Sequence, residues 1–118
     1  RDLIDFSVLV KMEAMPGGLT DPMNMNAGVQ KICIELRRQI EAKIGRNCTT
    51  FIPLLYRSQV VNGINYWIKI LVDFQLSNVV NECIHVNVSQ FAGSNDPSLG
   101  VVVQGKTVLD KIEPYLSE

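Results

Sequence analysis

Between Asn26 and Gly45 the apolar residues Val29, Ile32, Cys33, Leu36, Ile40 and Ile44 recur at three- and four-residue intervals, and after Gly45 that period does not return. This single change restricts the fold more than any other feature of the chain. The first segment reads as one amphipathic helix, with Gln30, Lys31, Glu35, Arg37, Arg38, Glu41 and Lys43 on its other face. Asn26 is placed to cap the first turn with its side-chain oxygen, and Gly45 to end the helix in the left-handed conformation. Gly28 near the start costs about 1 kcal/mol relative to alanine, which the apolar stripe outweighs.

Beyond Gly45 the chain reads as strands. Residues 51–61 are rich in Phe, Ile, Leu, Tyr and Val, with Pro53 marking an edge position or a bulge. In 64–72, Ile64, Tyr66, Ile68, Ile70 and Val72 alternate with Asn65, Trp67, Lys69 and Leu71, which makes one face apolar and the other mixed. Ile84, Val86 and Val88 alternate with His85 and Asn87, and 99–104 is a further β-prone run. Turn compositions at 75–78 and 93–98 separate them. One helix followed by four antiparallel strands is an α+β chain, and a sheet wrapped over the helix buries both apolar faces.

At 118 residues the chain has the size of a single domain. Apolar residues at 47% and charged residues at 19% mark a compact globular protein. A net charge of −1 gives no electrostatic excess with which to bind nucleic acid or anionic lipid. No apolar run approaches the roughly 20 residues that span a bilayer. Cys33, Cys48 and Cys83 are odd in number and lack framework spacing, which points to a reducing, cytoplasmic compartment. The N-terminal run Leu3 to Val10 has the length of a signal-peptide core, but Asp5 interrupts it and no convincing cleavage site comes after it. Residues 1–14 read as an N-terminal extension, flexible or foreign to the native chain, or alternatively as an extra edge strand. The domain proper is 15–118.

Catalytic chemistry finds little footing. Cys83 and His85 share one strand face, yet a nucleophile and its base are usually distant in sequence and need a third, orienting group. No CxxC or HxxxH spacing gathers metal ligands, and Gly17-Gly18 lacks the strand and spacing of a phosphate loop. No cofactor, metal or catalytic residue is therefore expected. Asn47-Cys48-Thr49 and Asn87-Val88-Ser89 match the glycosylation sequon, which matters only in a secreted chain.

The unusual feature is a pair of turns that are apolar where turns should be polar. Gln59-Val60-Val61-Asn62-Gly63 joins two strands, and Phe91-Ala92-Gly93 repeats the theme further on. Exposed apolar tips at one end of a sheet mark an interface. Equally, Val60 and Val61 belong to the strands and pack inward. Composition leaves both readings open.

Motifs decide between them. Gln59 to Gly63 resembles the QxVxG signature of cystatins, departing from the common QVVAG only at Asn62. Asn65-Tyr66-Trp67-Ile68-Lys69 is similar to the stefin continuation NYYIK, and Met15-Pro16-Gly17-Gly18-Leu19 to the PGGL start of stefins. Three motifs in order, over about residues 15–116, identify the chain as similar to the stefins, the type 1 cystatins. That resemblance implies the cystatin fold, one long helix wrapped by a four- to five-stranded antiparallel sheet. It also implies tight, reversible inhibition of papain-like cysteine proteases such as cathepsins, without cofactor, nucleic acid or membrane. The inhibitory wedge carried over comprises Gly17 and Gly18, then Gln59, Val60, Val61, Asn62 and Gly63, then Phe91, Ala92 and Gly93. The second loop lacks the Leu-Pro usual in stefins. An alternative is a cystatin-fold interaction module that has lost protease binding. A monomer is expected, with a dimer exchanging the first hairpin as the other oligomeric state.

Overall fold

The structure, a computed structural model, describes residues 18–77 and 80–114; the expectations for 1–14 and for Gly17 lie outside the described residues. The described chain runs β1 (Met23–Asn24), α1 (Ala27–Ile44), β2 (Ile52–Val61), β3 (Gly63–Asp73), β4 (Glu82–Phe91) and β5 (Ser98–Thr107). The strands form one antiparallel sheet in sequence order, β1-β2-β3-β4-β5. One helix packed on this sheet is the cystatin fold.

The helix lies where its pattern places it. Asn26 stands at the N-cap, and its Oδ1 accepts from the Val29 amide at 2.9 Å. The same side chain's Nδ2 donates to the Tyr56 hydroxyl at 2.8 Å, which ties the helix start to β2. Gly45 takes the left-handed conformation, φ 77°, and its amide donates to the Glu41 carbonyl. Val29, Ile32, Cys33, Leu36 and Ile40 are buried against Tyr56, Ile68, Ile70, Val72, Ile84, Val86 and Val88. A fully buried side chain of this size contributes roughly 1.5–3 kcal/mol, so this single layer supplies most of the stabilisation.

Five strands fall within the four to five that the resemblance implies, while the sheet goes beyond the pattern of alternation in two ways and agrees with it in a third. A short fifth strand, β1, pairs Met23 with Tyr56 and Asn24 with Leu55 at the outer edge of β2. Two residues carry no readable alternation. Strands β4 and β5 are longer than their apolar cores; in β4, backbone pairing with β3 continues through Ser89, Gln90 and Phe91 whatever their side chains. The bulge expected at Pro53 is present as a register shift between Pro53 and Leu55.

The largest correction concerns the face of the sheet turned away from the helix. Alternation predicts a mixed face, yet Trp67, Lys69, Leu71, Cys83 and His85 are all buried there. The segment after β5 folds back across it. Lys69 Nζ donates to the carbonyls of Val108 at 2.8 Å and Asp110 at 2.6 Å, and Arg57 Nη1 to that of Ile112 at 2.6 Å. Ile112 itself is buried. The turn into this strap is locked by Asp110, whose Oδ2 accepts from the Thr107 amide at 2.7 Å and from its hydroxyl at 3.2 Å. The backbone bond from Thr107, first among the causes, holds the Asp110 carboxyl below its ordinary range.

Candidate functional site

The antiparallel register brings three segments to one end of the sheet. The β2–β3 hairpin turns at Asn62, the β4–β5 connection begins after Phe91, and Gly63 pairs directly with Phe91. The N-terminal segment reaches the same end. Thr20 N donates to the Ser58 carbonyl at 2.9 Å, Ser58 N to Thr20 Oγ1 at 3.0 Å, and Arg57 Nε to the Thr20 carbonyl at 2.8 Å. Thr20 is thus clamped to Ser58, two residues short of Val60, and Gly18 lies just beyond, exposed. A Cβ built on Gly18 meets no atom within 4 Å, so nothing in the described chain requires glycine at that position.

The hairpin valines do not pack inward. Val60 is 73% exposed and Val61 57%, with Phe91 beside them at 54%. These side chains form an apolar tip with no core to join. Ala92 N donates to the Asn62 carbonyl at 3.3 Å, so the two loops touch through their backbones.

Gly63 makes that contact feasible. Its φ of 113° is a conformation that L side chains rarely adopt. A Cβ there would also stand 2.2 Å from the Gln90 carbonyl oxygen and 2.7 Å from Ala92 N. Glycine at 63 is therefore demanded twice over, by the turn and by the neighbouring loop.

Behind the tip lies a network that the motifs did not reveal. Asn65 Nδ2 donates to Gln59 Oε1 at 3.1 Å. Asn65 Oδ1 in turn accepts from Asn87 Nδ2 at 2.8 Å and from Ser89 Oγ at 3.0 Å. Asn87 Nδ2 also donates to the Tyr66 carbonyl at 3.0 Å. The amides thus cross β2, β3 and β4 in one line. A Cβ on Gly100 of β5 would come within 2.3 Å of Asn87 Oδ1, so the ladder also fixes glycine there. Gln59 consequently points along the sheet toward Asn65, whereas Val60 and Val61 point into solvent. The signal in the sequence is a set of short polar residues at outward positions of neighbouring strands, which alternation alone cannot distinguish from ordinary solvated positions.

The thiol and imidazole that share a strand face are wholly buried. Burial raises the Cys83 thiol, and burial with the nearby Lys69 and Lys106 lowers His85 to about 4. Such a pair has neither a ready thiolate nor access to substrate. All three cysteines are free thiols, and burial pushes Cys33 up to about 12. Among the described residues no cluster of three or more His, Cys, Asp or Glu side chains could hold a metal, and no helix is long and apolar enough to cross a membrane.

A helix-wrapped antiparallel sheet with clustered apolar hairpin tips defines a cystatin-type chain, and comparison with known proteins narrows it. Cystatin-A3 of Dictyostelium discoideum is 34% identical over 99 residues, covering 83% of this chain and 97% of that protein. Cystatin-A of Felis catus is 35% identical over 85 residues, 72% and 81% of the two chains. The leukocyte cysteine proteinase inhibitor 1 of Sus scrofa is 36% identical over 78 residues, 66% and 70%. No family model matches the chain. The chain belongs to the stefin-type cystatins, a family of cysteine protease inhibitors rather than enzymes.

Proposed function

We propose that this chain is a reversible, competitive inhibitor of papain-like, cathepsin-type cysteine proteases, which inserts Gly17-Gly18, the Gln59–Gly63 hairpin tip and Phe91-Ala92-Gly93 into the active-site cleft. The observation that carries the reading is the exposure of Val60 and Val61 at the apex of a hairpin whose base is braced on both sides. Apolar area held in place before docking loses little conformational freedom on binding, so more of its desolvation appears as affinity. Val60, Val61 and Phe91 supply that area, Gly63 and Asn62 shape the tip, and Gln59 anchors it from behind. At Gly18 the absent side chain is explained by close approach to a partner, since the chain itself leaves the space open.

Titration of papain with the purified chain tests this directly. Stoichiometric, reversible loss of activity is expected, and Gly18→Arg raises the dissociation rate with little change in the association rate. No inhibition at micromolar protein refutes the reading and leaves a cystatin-fold interaction module. Residues 1–14 are proposed to be dispensable, so their removal leaves inhibition unchanged or stronger; weaker inhibition by the shortened chain refutes that. The free cysteines support a reducing, cytoplasmic location. A monomer is the proposed active form, because exchange of the first hairpin would straighten the tip that does the binding. Light scattering alongside the papain titration tests it: inhibition residing in a dimer fraction contradicts it.

A further inference from the structure

Of the nine asparagines in the chain, Asn62 alone is followed by glycine. It is also the one residue between β2 and β3, exposed, and its side-chain amide has no hydrogen-bond partner among the described residues. We infer that Asn62 is a site of spontaneous deamidation, and that the reaction acts as a clock on the binding tip. Its consequence for activity rests on the inhibitor reading above.

The chemistry needs only water and hydroxide. A base removes the proton of the Gly63 amide, and that nitrogen attacks Asn62 Cγ. The Cγ–Nδ2 bond breaks, ammonia leaves, and a five-membered succinimide forms. Water then opens one of its two carbonyls, giving aspartate or isoaspartate at position 62. Every other residue type at 63 would shield the attacking nitrogen with a Cβ; glycine does not. The bond from Ala92 N to the Asn62 carbonyl holds this peptide unit in the turn, so the attack is slower than in a free peptide.

Both products damage the tip. Either one places a carboxylate beside Val60, Val61 and Phe91, on the surface that docking would desolvate, and burying an unpaired charge is costly. Isoaspartate further inserts a methylene into the backbone next to Gly63, whose Cα is packed against the Gln90 carbonyl and Ala92 amide and so cannot shift freely to absorb it. The bond from Ala92 N to the Asn62 carbonyl cannot survive that lengthening.

The test ages the full chain in mildly alkaline buffer at body temperature. Peptide mass spectrometry locates modified asparagines, enzymatic methylation detects isoaspartate, and papain titration follows function. The expected result is the NH2-to-OH mass gain at the peptide holding Asn62, isoaspartate there, and a dissociation constant for papain raised on the order of tenfold or more. Exposed Asn24, Asn47 and Asn95 are internal controls that stay intact, and the aged Asn62→Ala chain gains no mass at that peptide. A preformed papain complex modifies more slowly than the free chain. An unmodified Asn62 under conditions that fully convert a free peptide of the same sequence overturns the site, and full modification with unchanged affinity overturns its consequence. The mass readout is independent of inhibition. Fresh chain that fails to inhibit papain therefore refutes the inhibitor reading and not the modification.

Discussion

The two faces of the sheet are closed by different means. Toward the helix, Ile68, Ile70, Ile84, Val86 and Val88 meet the apolar stripe of α1 in a layer built almost wholly from apolar side chains. On the other side an amide ladder braces the tip end. Further along that face, Lys69 and Arg57 reach up to backbone carbonyls of the C-terminal strap. The first face depends on volume, and the second adds hydrogen-bond geometry to the apolar packing of Trp67, Leu71 and Ile112. Substitutions should therefore fail differently on each: graded with the methylene groups lost on the helix face, and all-or-none with a donor or acceptor on the strap face.

Ile70, which has no exposed surface, provides the strongest way to break the helix face. Ile70→Ala is expected to lose about 3–4 kcal/mol in urea unfolding, from transfer and cavity terms together. A loss below about 1 kcal/mol would contradict the assignment of the core to that face.

Acid probes the strap face next. His85 is held neutral down to about pH 4, whereas in the unfolded chain it takes up a proton near 6.5. Its depressed value means that the unfolded state binds protons first. Stability is then lost as pH falls from about 6.5 to about 4, by up to about 3 kcal/mol. Glu41, through the backbone bond from Cys48, and Asp110, through that from Thr107, are held below their ordinary values, so their stabilisation is lost at still lower pH. Unfolding midpoints measured across this range should fall for the parent chain and flatten for His85→Phe between about pH 6.5 and 4. A parent chain with no change there rules out the buried neutral imidazole.

Lys69→Met removes both bonds to the strap while keeping the apolar stem. The expected loss is about 1–3 kcal/mol, since two strap carbonyls remain without their donor. Hydrogen exchange should rise in residues 107–114 and stay unchanged in α1; equal acceleration in both would erase the distinction between the faces.

The smallest effect on stability sharpens the contrast most. Asn65→Ala cuts the ladder at its centre, with an expected cost of about 1 kcal/mol. Its dissociation from papain should nonetheless quicken by on the order of tenfold, because the tip loses its brace and none of its apolar contacts. Unchanged dissociation would reduce the ladder to ordinary sheet polarity.

This division also explains how much of the molecule is legible in the sequence. The helix, its caps and the apolar alternation of β3 and β4 come from periods that the chemistry of each residue enforces. The rest depends on tertiary pairing. Asn65 bears three hydrogen bonds to residues six, 22 and 24 positions away, and no local pattern announces them. Residues 107–114 alternate poorly because they contribute carbonyls, which every residue possesses. The hairpin tip is legible as unusual, but whether Val60 and Val61 face inward or outward depends on a register that composition does not fix. Strand β1 is too short to have any period at all.

Arg57 joins two parts of the molecule that are far apart along the chain. Its Nε donates to the carbonyl of Thr20 and its Nη1 to that of Ile112, so one guanidinium grips both the approach to Gly18 and the strap. In mechanical terms it is a shared fastening. A tether that displaced the strap at Ile112 would pull on the side chain that also holds Thr20, so strain at one end of the described chain would be felt at the other.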